Sequence, residues 1–450
     1  MSLGKTALSA KKANEMNANR DRYLNELIVR KNNGFIKVIT GIRRCGKSYL
    51  LNKIFYDYLI KSGIDKKHII RFSFDTDEDI DKLDKYYPDE PTKIHEKWKN
   101  GFTVNSKKFR KYISDLTNDN DQFYLLLDEI QMLEDFVGTL NGFLRHPNFD
   151  TYVTGSNSRM LSSDIMTEFR GRGDRISMFP LSFKEFYQAS NMNFQDAYKY
   201  FSYYGGMPFL LSMSTEQQKS SYLKELFKEV YIKDIVERHG INDVGNFEKL
   251  IDVLASSIGS YNNYTKLENT FKSELNVIYS GDTIRNHIDY LEDAFLISHA
   301  NRYDVKGKKY IKSNSKYYFT DIGLRNARLN FRQQEPTHIM ENIIYNELLY
   351  RGYNVDVGIV EVIEKSQNNN SVRKQLEVDF IVQTENDKFY IQSAFSMPDS
   401  LKTHQEEKSL INIHDSFKKI IVVGDDIKSW KTDNGTVVIS LKDFLLSDKL

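Results

Sequence analysis

The spacing of apolar and polar positions divides the chain into strands and helices. Phe35-Ile-Lys-Val-Ile-Thr40 is a short, mostly apolar run that predicts a strand. From Tyr49 to Ile60, residues Leu50, Leu51, Ile54, Phe55, Tyr58 and Leu59 recur at helical spacing, and Gly63 supplies a stop. His68-Ile-Ile-Arg-Phe-Ser-Phe74 and Phe123-Tyr-Leu-Leu-Leu-Asp128-Glu129 predict two further strands. The second is apolar enough for a central parallel strand buried on both faces. Thr151-Tyr-Val-Thr154-Gly155-Ser156-Asn157 reads as a short strand with a polar tip. The charged segment from Asp75 to Asn120 opens on Asp75-Thr-Asp-Glu-Asp-Ile-Asp and is expected to be an irregular, solvated loop.

Beyond residue 240 the pattern changes. Glu248 to Ser257 predicts a helix, and Asn263 to Phe271 a second one behind a capping threonine. Ser280 to Phe295 predicts a turn and a third helix, with Ile284, Ile288, Leu291 and Phe295 on its apolar face. Two strand-like runs follow, 296–303 and 309–319, joined through Lys306-Gly307-Lys308. Helices, a turn, a last helix and a basic hairpin describe a winged helix, a module that commonly sets its last helix in the DNA major groove. On that reading Arg285 and His287 face bases, and Lys306, Lys308 and Lys309 meet phosphates. The acids Asp289, Glu292 and Asp293 on the same helix argue instead for a packing or protein-contact module.

The last block starts with a helix at 340–350. Strand-like runs follow at 353–357, 360–364, 376–382 and 388–393, then a helix at 400–414 and a strand at 419–423. This order resembles the restriction-endonuclease-like fold, in which a helix glutamate, a strand aspartate and a Glu-x-Lys assemble a Mg²⁺ site. Glu341 and Asp379 match the first two positions. Gln392-Ser393-Ala394 stands where Glu-x-Lys is expected, so the resemblance implies a degenerate site with Gln392 as a weak remaining ligand.

The sharpest chemical signal is Gly41-Ile-Arg-Arg-Cys-Gly46-Lys47-Ser48, a phosphate-binding loop between a predicted strand and helix. Backbone N–H groups at such a helix start face phosphate oxygens. Residues Gly41, Arg43, Arg44, Cys45, Gly46, Lys47, Ser48 and Tyr49 form the expected nucleotide-contacting set. Lys47 is placed to reach the β- and γ-phosphates, and Ser48 to hold Mg²⁺. Arg43 and Arg44 either neutralise phosphate or pair with a carboxylate such as Asp128. The two acids ending the 123–129 run supply a second function: Asp128 acts on Mg²⁺, and Glu129 polarises the attacking water.

The order of phosphate loop, acidic strand end and Thr-Gly-Ser-Asn tip is similar to AAA-type ATPases. That resemblance implies ATP as the nucleotide and a γ-phosphate sensor at Ser156 or Asn157. Phe169-Arg170-Gly171-Arg172, then Phe179-Pro-Leu-Ser-Phe-Lys-Glu-Phe186 and Gly205-Gly206-Met207-Pro208, together resemble one bacterial and archaeal AAA family whose C-terminal domain has no assigned function. Arg172 matches the family's Gly-Arg position. It either stabilises transition-state charge, on its own nucleotide or a neighbour's, or is a salt-bridged structural arginine. Rings are common among AAA proteins, so a homo-oligomer is a possible state.

Composition narrows the remainder. Lys+Arg 63 against Asp+Glu 62 gives no bulk signal for nucleic acid or membrane. The single cysteine, Cys45, excludes intramolecular disulfides, and the 9 histidines show no metal-ligand spacing. No run approaches the roughly 20 apolar residues of a membrane span, and the N-terminus lacks an apolar signal core, so a cytoplasmic protein is expected.

The resulting expectation is an α/β chain. A flexible arm at 1–19 precedes an AAA-type P-loop domain with a parallel sheet at 20–235, a winged helix at 240–333 and a restriction-endonuclease-like domain at 336–450. Three functions follow in order of preference. The first is an ATPase whose nucleotide cycle moves the C-terminal blocks on DNA or another macromolecule. The second is a nucleotide-gated signalling or defence scaffold for a protein partner. The third is an ATP-coupled nuclease.

Overall fold

The computed structural model describes residues 18–95, 102–155, 169, 171–365, 371–384 and 387–449. Most of the expected N-terminal arm, the sensor candidates Ser156 and Asn157, and Arg170 lie outside the described residues. The chain forms two compact units, Asn19–Phe179 and the residues from Pro180 onward.

In the first unit, helix α1 (Asp21–Val29) precedes strand β1 (Ile36–Thr40). Helix α2 runs from Lys47 to Lys61 and takes a π-helical form over Leu50–Phe55. Leu50, Leu51, Phe55 and Leu59 are its buried face. Strands β2 (Ile69–Ser73), β5 (Phe123–Asp128), β6 (Phe149–Thr154) and β7 (Gly173–Ser177) join β1 in a sheet of order β2-β5-β6-β1-β7. Every pairing in it is parallel. All six residues of β5 are buried, as its unbroken apolar run requires of an interior strand.

The segment expected to be an irregular loop contains more order than its charge suggests. It holds a small antiparallel pair, β3 (Lys93–His95) and β4 (Phe102–Val104), and helix α3 (Ser106–Leu116). The Asn105 side chain caps α3 by accepting from the N–H groups of Lys107 and Lys108. Phe109 and Ile113, one turn apart, anchor it in the core, and helix α4 (Phe136–Phe143) follows β5.

Lys37 and Asp150 form a fully buried ion pair between β1 and β6. The Asp150 carboxylate also accepts from the Tyr152 hydroxyl at 2.8 Å and the Asn32 N–H at 3.0 Å. Burial drives the Lys37 ammonium below its ordinary pKa, against the pull of Asp150.

The second unit opens with helices α5 (Phe183–Ser190), α6 (Phe194–Tyr204) and α7 (Glu216–Glu225). Residues 180–235, grouped by sequence with the phosphate loop, cluster here because they pack on helix α11 (Ile322–Arg328). Asn326 of that helix donates to the carbonyls of Ser202 at 2.9 Å and Tyr203 at 3.0 Å. The Gly205-Gly206-Met207-Pro208 motif has a packing origin at the same place. A Cβ on Gly205, whose φ is +76°, would lie 2.2 Å from the Asp321 carboxylate. The Gly206 N–H donates to that carboxylate at 2.7 Å.

Burial pushes the Asp321 carboxyl up to about 6, despite N–H donors from Gly206, Leu324 and Gly323. The unfolded carboxyl loses its proton near pH 4, so between about pH 4 and pH 6 the folded chain holds one proton more. Stability should therefore fall as pH rises through that window and then level off. Denaturant midpoints measured across it should show this slope in the wild type and lose it in Asp321→Asn.

Helix α8 (Val244–Ser256), strand β8 (Tyr261–Asn262), helices α9 (Tyr264–Glu274) and α10 (Gly281–Asp293), and the hairpin β9 (Ile297–Asp304) and β10 (Lys309–Phe319) follow. The cap of α9 is Asn263 and not a threonine; its carboxamide accepts from the Lys266 N–H at 2.6 Å. The remaining elements are α12 (Pro336–Tyr350), β11 (Asn354–Lys365), β12 (Ser371–Gln383), β13 (Lys388–Ala394), α13 (Ser400–Ile411), β14 (Lys418–Val423), β15 (Trp430–Lys431), β16 (Val437–Ser440) and α14 (Leu441–Leu446).

The hairpin and the C-terminal strands share one nine-stranded sheet, of order β15-β16-β14-β13-β12-β11-β9-β10-β8. Strand β9 pairs in parallel with β11 at Arg302↔Val357, Tyr303↔Gly358 and Asp304↔Ile359. The sequence boundary at 336 thus does not separate two sheets. Strand β9 satisfies one backbone edge against the C-terminal part and the other against β10. Among the described residues, no helix is long and apolar enough to cross a membrane.

Candidate nucleotide-binding site

The phosphate-loop residues lie between the C-terminal end of β1 and the start of α2. Gly41 has φ +145°, and a Cβ there would meet the Met178 carbonyl oxygen at 2.0 Å, so only glycine fits. Gly46, with φ 103°, turns the chain into the helix, and Arg44 also takes a left-handed φ of 61°. Cys45 is buried, with its thiol 3.6 Å from the Met178 carbonyl oxygen. Lys47 is buried, and its ammonium donates to the carbonyls of Gly41 at 2.9 Å and Ile42 at 3.1 Å. Ser48 and Tyr49 are exposed, as is Arg44, whereas Arg43 is half-buried.

Parallel pairing of β5 with β6 places the ends of both strands beside this loop. Asp128 is buried, and one carboxylate oxygen accepts from the Thr154 hydroxyl. The other accepts from Asn52 Nδ2 at 3.3 Å, and Ser48 is a further hydroxyl partner. Burial raises the Asp128 carboxyl above its ordinary range, while the Thr154 and Ser48 hydroxyls oppose the shift. Glu129 takes a left-handed φ of 52°. Its N–H donates to Thr154 Oγ1 at 3.1 Å, and its carboxylate accepts from Gln131 Nε2. Thr154 therefore contacts both acids, with one bond given and one received. Neither Thr154 nor Asn52 stood out as a site residue in the sequence. The available signals were the position of Thr154 at a strand tip and of Asn52 one turn after Ser48.

Arg172 is exposed, and its carbonyl accepts from the Ile36 N–H at 2.9 Å as β7 begins. The other expected residues lie in the second unit. Arg285 is exposed, 3.6 Å from Asp282, with its guanidinium over the Tyr264 ring. Lys306, Lys308 and Lys309 are exposed at the hairpin turn, and Lys306 donates to the Glu361 carbonyl at 2.7 Å. His287 departs from its expected role. It is buried among Phe247, Tyr279 and Tyr290 and hydrogen-bonded to the Tyr279 hydroxyl, so it faces the core and not a base edge. Its position three residues after Ile284 and one before Ile288 puts it on the apolar face of α10. Glu341 and Asp379 lie 2.9 and 4.0 Å from the Lys316 ammonium, while Gln392 is half-buried with its carbonyl 3.5 Å from the Ser409 hydroxyl.

A five-stranded parallel sheet, a glycine-rich loop opening a helix, and a buried acid on a neighbouring strand end define a P-loop nucleotide-binding protein. Residues 33–187 match the family described as AAA domain. Residues 195–335 match a domain of unknown function (DUF8612). An uncharacterised protein of Haemophilus influenzae is 34% identical over 433 residues, which cover 95% of this chain and 98% of that one. The chain belongs to the family of that protein, and its residues 33–187 are an AAA domain. An uncharacterised protein of Methanocaldococcus jannaschii is 29% identical, covering 87% of this chain and 82% of the other. The solved structure of the Aeropyrum pernix ORC2 protein in ADPNP and ADP complexes aligns with a TM-score of 0.31 and 14% identity, over 64% of this chain and 86% of that one. A likeness of that size carries no argument about function.

Proposed function

We propose that the chain hydrolyses ATP with Mg²⁺ at the β1–α2 loop and that its nucleotide state controls the C-terminal segments, which act on DNA or another macromolecule. The observation that carries this reading is the hydrogen-bonded set Ser48, Asn52, Asp128, Glu129 and Thr154 at the mouth of a glycine-constrained loop. Their donor atoms are hard oxygens, one of them a buried carboxylate, and fit Mg²⁺. Ser48 and Asp128 would hold the ion, which supplies charge neutralisation for the phosphates. Lys47 would leave the Gly41 and Ile42 carbonyls to meet phosphate oxygens. Glu129, separate from that pair and held by Gln131, would accept a proton from water. Arg172 would contribute charge in cis or in trans.

Support for a winged helix at 240–333 is the order α8-β8-α9-α10-β9-β10, with β8 pairing on β10 and an exposed basic turn between the last two strands. Support for a restriction-endonuclease-like segment at 336–450 is the succession α12-β11-β12-β13-α13-β14, with β13 and β14 parallel. DNA contact then falls to Arg285, Lys306, Lys308 and Lys309, without His287. A protein partner remains the second reading, because Asp289, Glu292 and Asp293 share helix α10 with Arg285.

The test is steady-state ATP hydrolysis with and without duplex DNA over a range of salt. Stimulation that weakens as salt rises, and that Lys306→Ala/Lys308→Ala/Lys309→Ala reduces, supports DNA as the partner. Turnover indifferent to DNA at every salt moves the assignment to a protein partner.

A further inference from the structure

Three carboxylates converge beneath the nine-stranded sheet: Glu341 from α12, and Glu377 and Asp379 from β12. Their side chains are 8%, 32% and 10% exposed. Like charges gathered this closely out of water are unfavourable unless a cation sits among them. In restriction-endonuclease-like enzymes such a cluster takes a divalent metal. Here a side chain takes that place. The ammonium of Lys316, on β10 of the hairpin, is 2.9 Å from Glu341 Oε1, 2.6 Å from Glu377 Oε1 and 4.0 Å from Asp379 Oδ1. Its side chain is 4% exposed.

The remaining polar atoms are arranged around this cation. The Tyr318 hydroxyl donates to Glu341 Oε1 at 2.7 Å, and the Ser393 N–H donates to Asp379 Oδ2 at 2.8 Å. Asp379, 4.0 Å from the ammonium, is the most distant of the three carboxylates. The ammonium thus occupies the position between Glu341 and Glu377 from which a divalent ion would contact both. The sequence departures point the same way. Ala394 replaces the lysine and Gln392 the carboxylate of the expected Glu-x-Lys, so one possible metal ligand and the lysine are both missing from β13, and Lys316 supplies the cation from another strand.

We propose that Lys316 is the resident cation of the Glu341–Glu377–Asp379 cluster, a built-in substitute for a metal ion that locks the hairpin strand β10 to helix α12 and strand β12. The lock acts with the β9–β11 pairing. Hairpin and C-terminal strands form one mechanical piece, and the cluster is a structural junction in place of a nuclease centre. This inference does not depend on the ATPase reading.

The test uses the full-length chain without nucleotide and Mn²⁺ as the probe, with bound ion read by electron paramagnetic resonance. Wild type and Asp379→Asn should bind Mn²⁺ equally, because the Lys316 ammonium already fills the cluster. Lys316→Met should gain one equivalent, and Lys316→Met/Asp379→Asn should lose it again. Mn²⁺ should raise the melting temperature of Lys316→Met and leave that of the wild type unchanged. Mn²⁺ binding by wild type that disappears in Asp379→Asn overturns the proposal, as does a folded Lys316→Met with no gained site. If Lys316→Met does not fold, the comparison of wild type with Asp379→Asn decides alone: equal binding supports the lock, and Asp379-dependent binding overturns it.

Discussion

Glu129→Gln is expected to lower single-turnover ATP hydrolysis by about 10²- to 10⁴-fold, the usual contribution of a positioned general base, while leaving ATP binding near the wild-type level. The separation follows from the geometry. In the proposed site Lys47 and the loop backbone would face phosphate, and Ser48 and Asp128 would face the metal; the Asp128 carboxylate's partners are Thr154, Asn52 and Ser48. None of these bonds involves the Glu129 carboxylate, which accepts from Gln131 Nε2. Its backbone N–H, which donates to Thr154, survives the substitution. Glutamine removes the proton acceptor and keeps the shape. Filter binding of labelled ATP beside rapid-quench hydrolysis checks both halves. A parallel loss of binding would show that Glu129 supports the pocket and does not serve the chemistry.

The second large effect concerns stability. Asp150→Ala should destabilise the first unit by about 3–5 kcal/mol, because it strands a buried ammonium in the sheet. Lys37 and Asp150 are both essentially inaccessible to water, and Asp150 also satisfies the Tyr152 hydroxyl and the Asn32 N–H. Replacing both charges, as in Lys37→Met/Asp150→Leu, should recover a substantial part of the loss, since the isolated charge is the costly element. Denaturant midpoints of the single and double variants provide the check. A single variant as stable as the wild type would mean that water reaches Lys37.

The parts of the molecule that were legible in the sequence are those coded locally. Strand β1, the loop and helix α2 were readable because a short apolar run, two glycines and a 3.6-residue period lie within thirty residues of one another. Strand β5 was readable because a strand with neighbours on both sides and layers on both faces tolerates no polar interruption until Asp128. Helix α3 was hidden. Phe109, Tyr112 and Ile113 anchor it among lysines and an arginine, and its cap is a single asparagine. Thr154, Lys37 with Asp150, and Lys316 were illegible for a different reason. Each depends on the register between strands far apart in the chain, which no local pattern records. No local pattern distinguishes Lys316 from the other cations of the hairpin, and its neighbours come from helix α12 and strand β12. The union of hairpin and C-terminal strands was equally invisible, because an edge strand and an interior strand of similar composition differ only in what they pair with.

The central claim is that the β1–α2 loop binds ATP through Lys47 and drives hydrolysis through Glu129. The most direct measurement is calorimetric titration of ATP with Mg²⁺ into the wild type, Lys47→Ala and Glu129→Gln. Saturable binding by the wild type and Glu129→Gln, lost or weakened at least about tenfold in Lys47→Ala, is the predicted result, given that charge-assisted contacts contribute roughly 1.5–3 kcal/mol each. Equal binding by all three proteins would contradict it and place the nucleotide elsewhere.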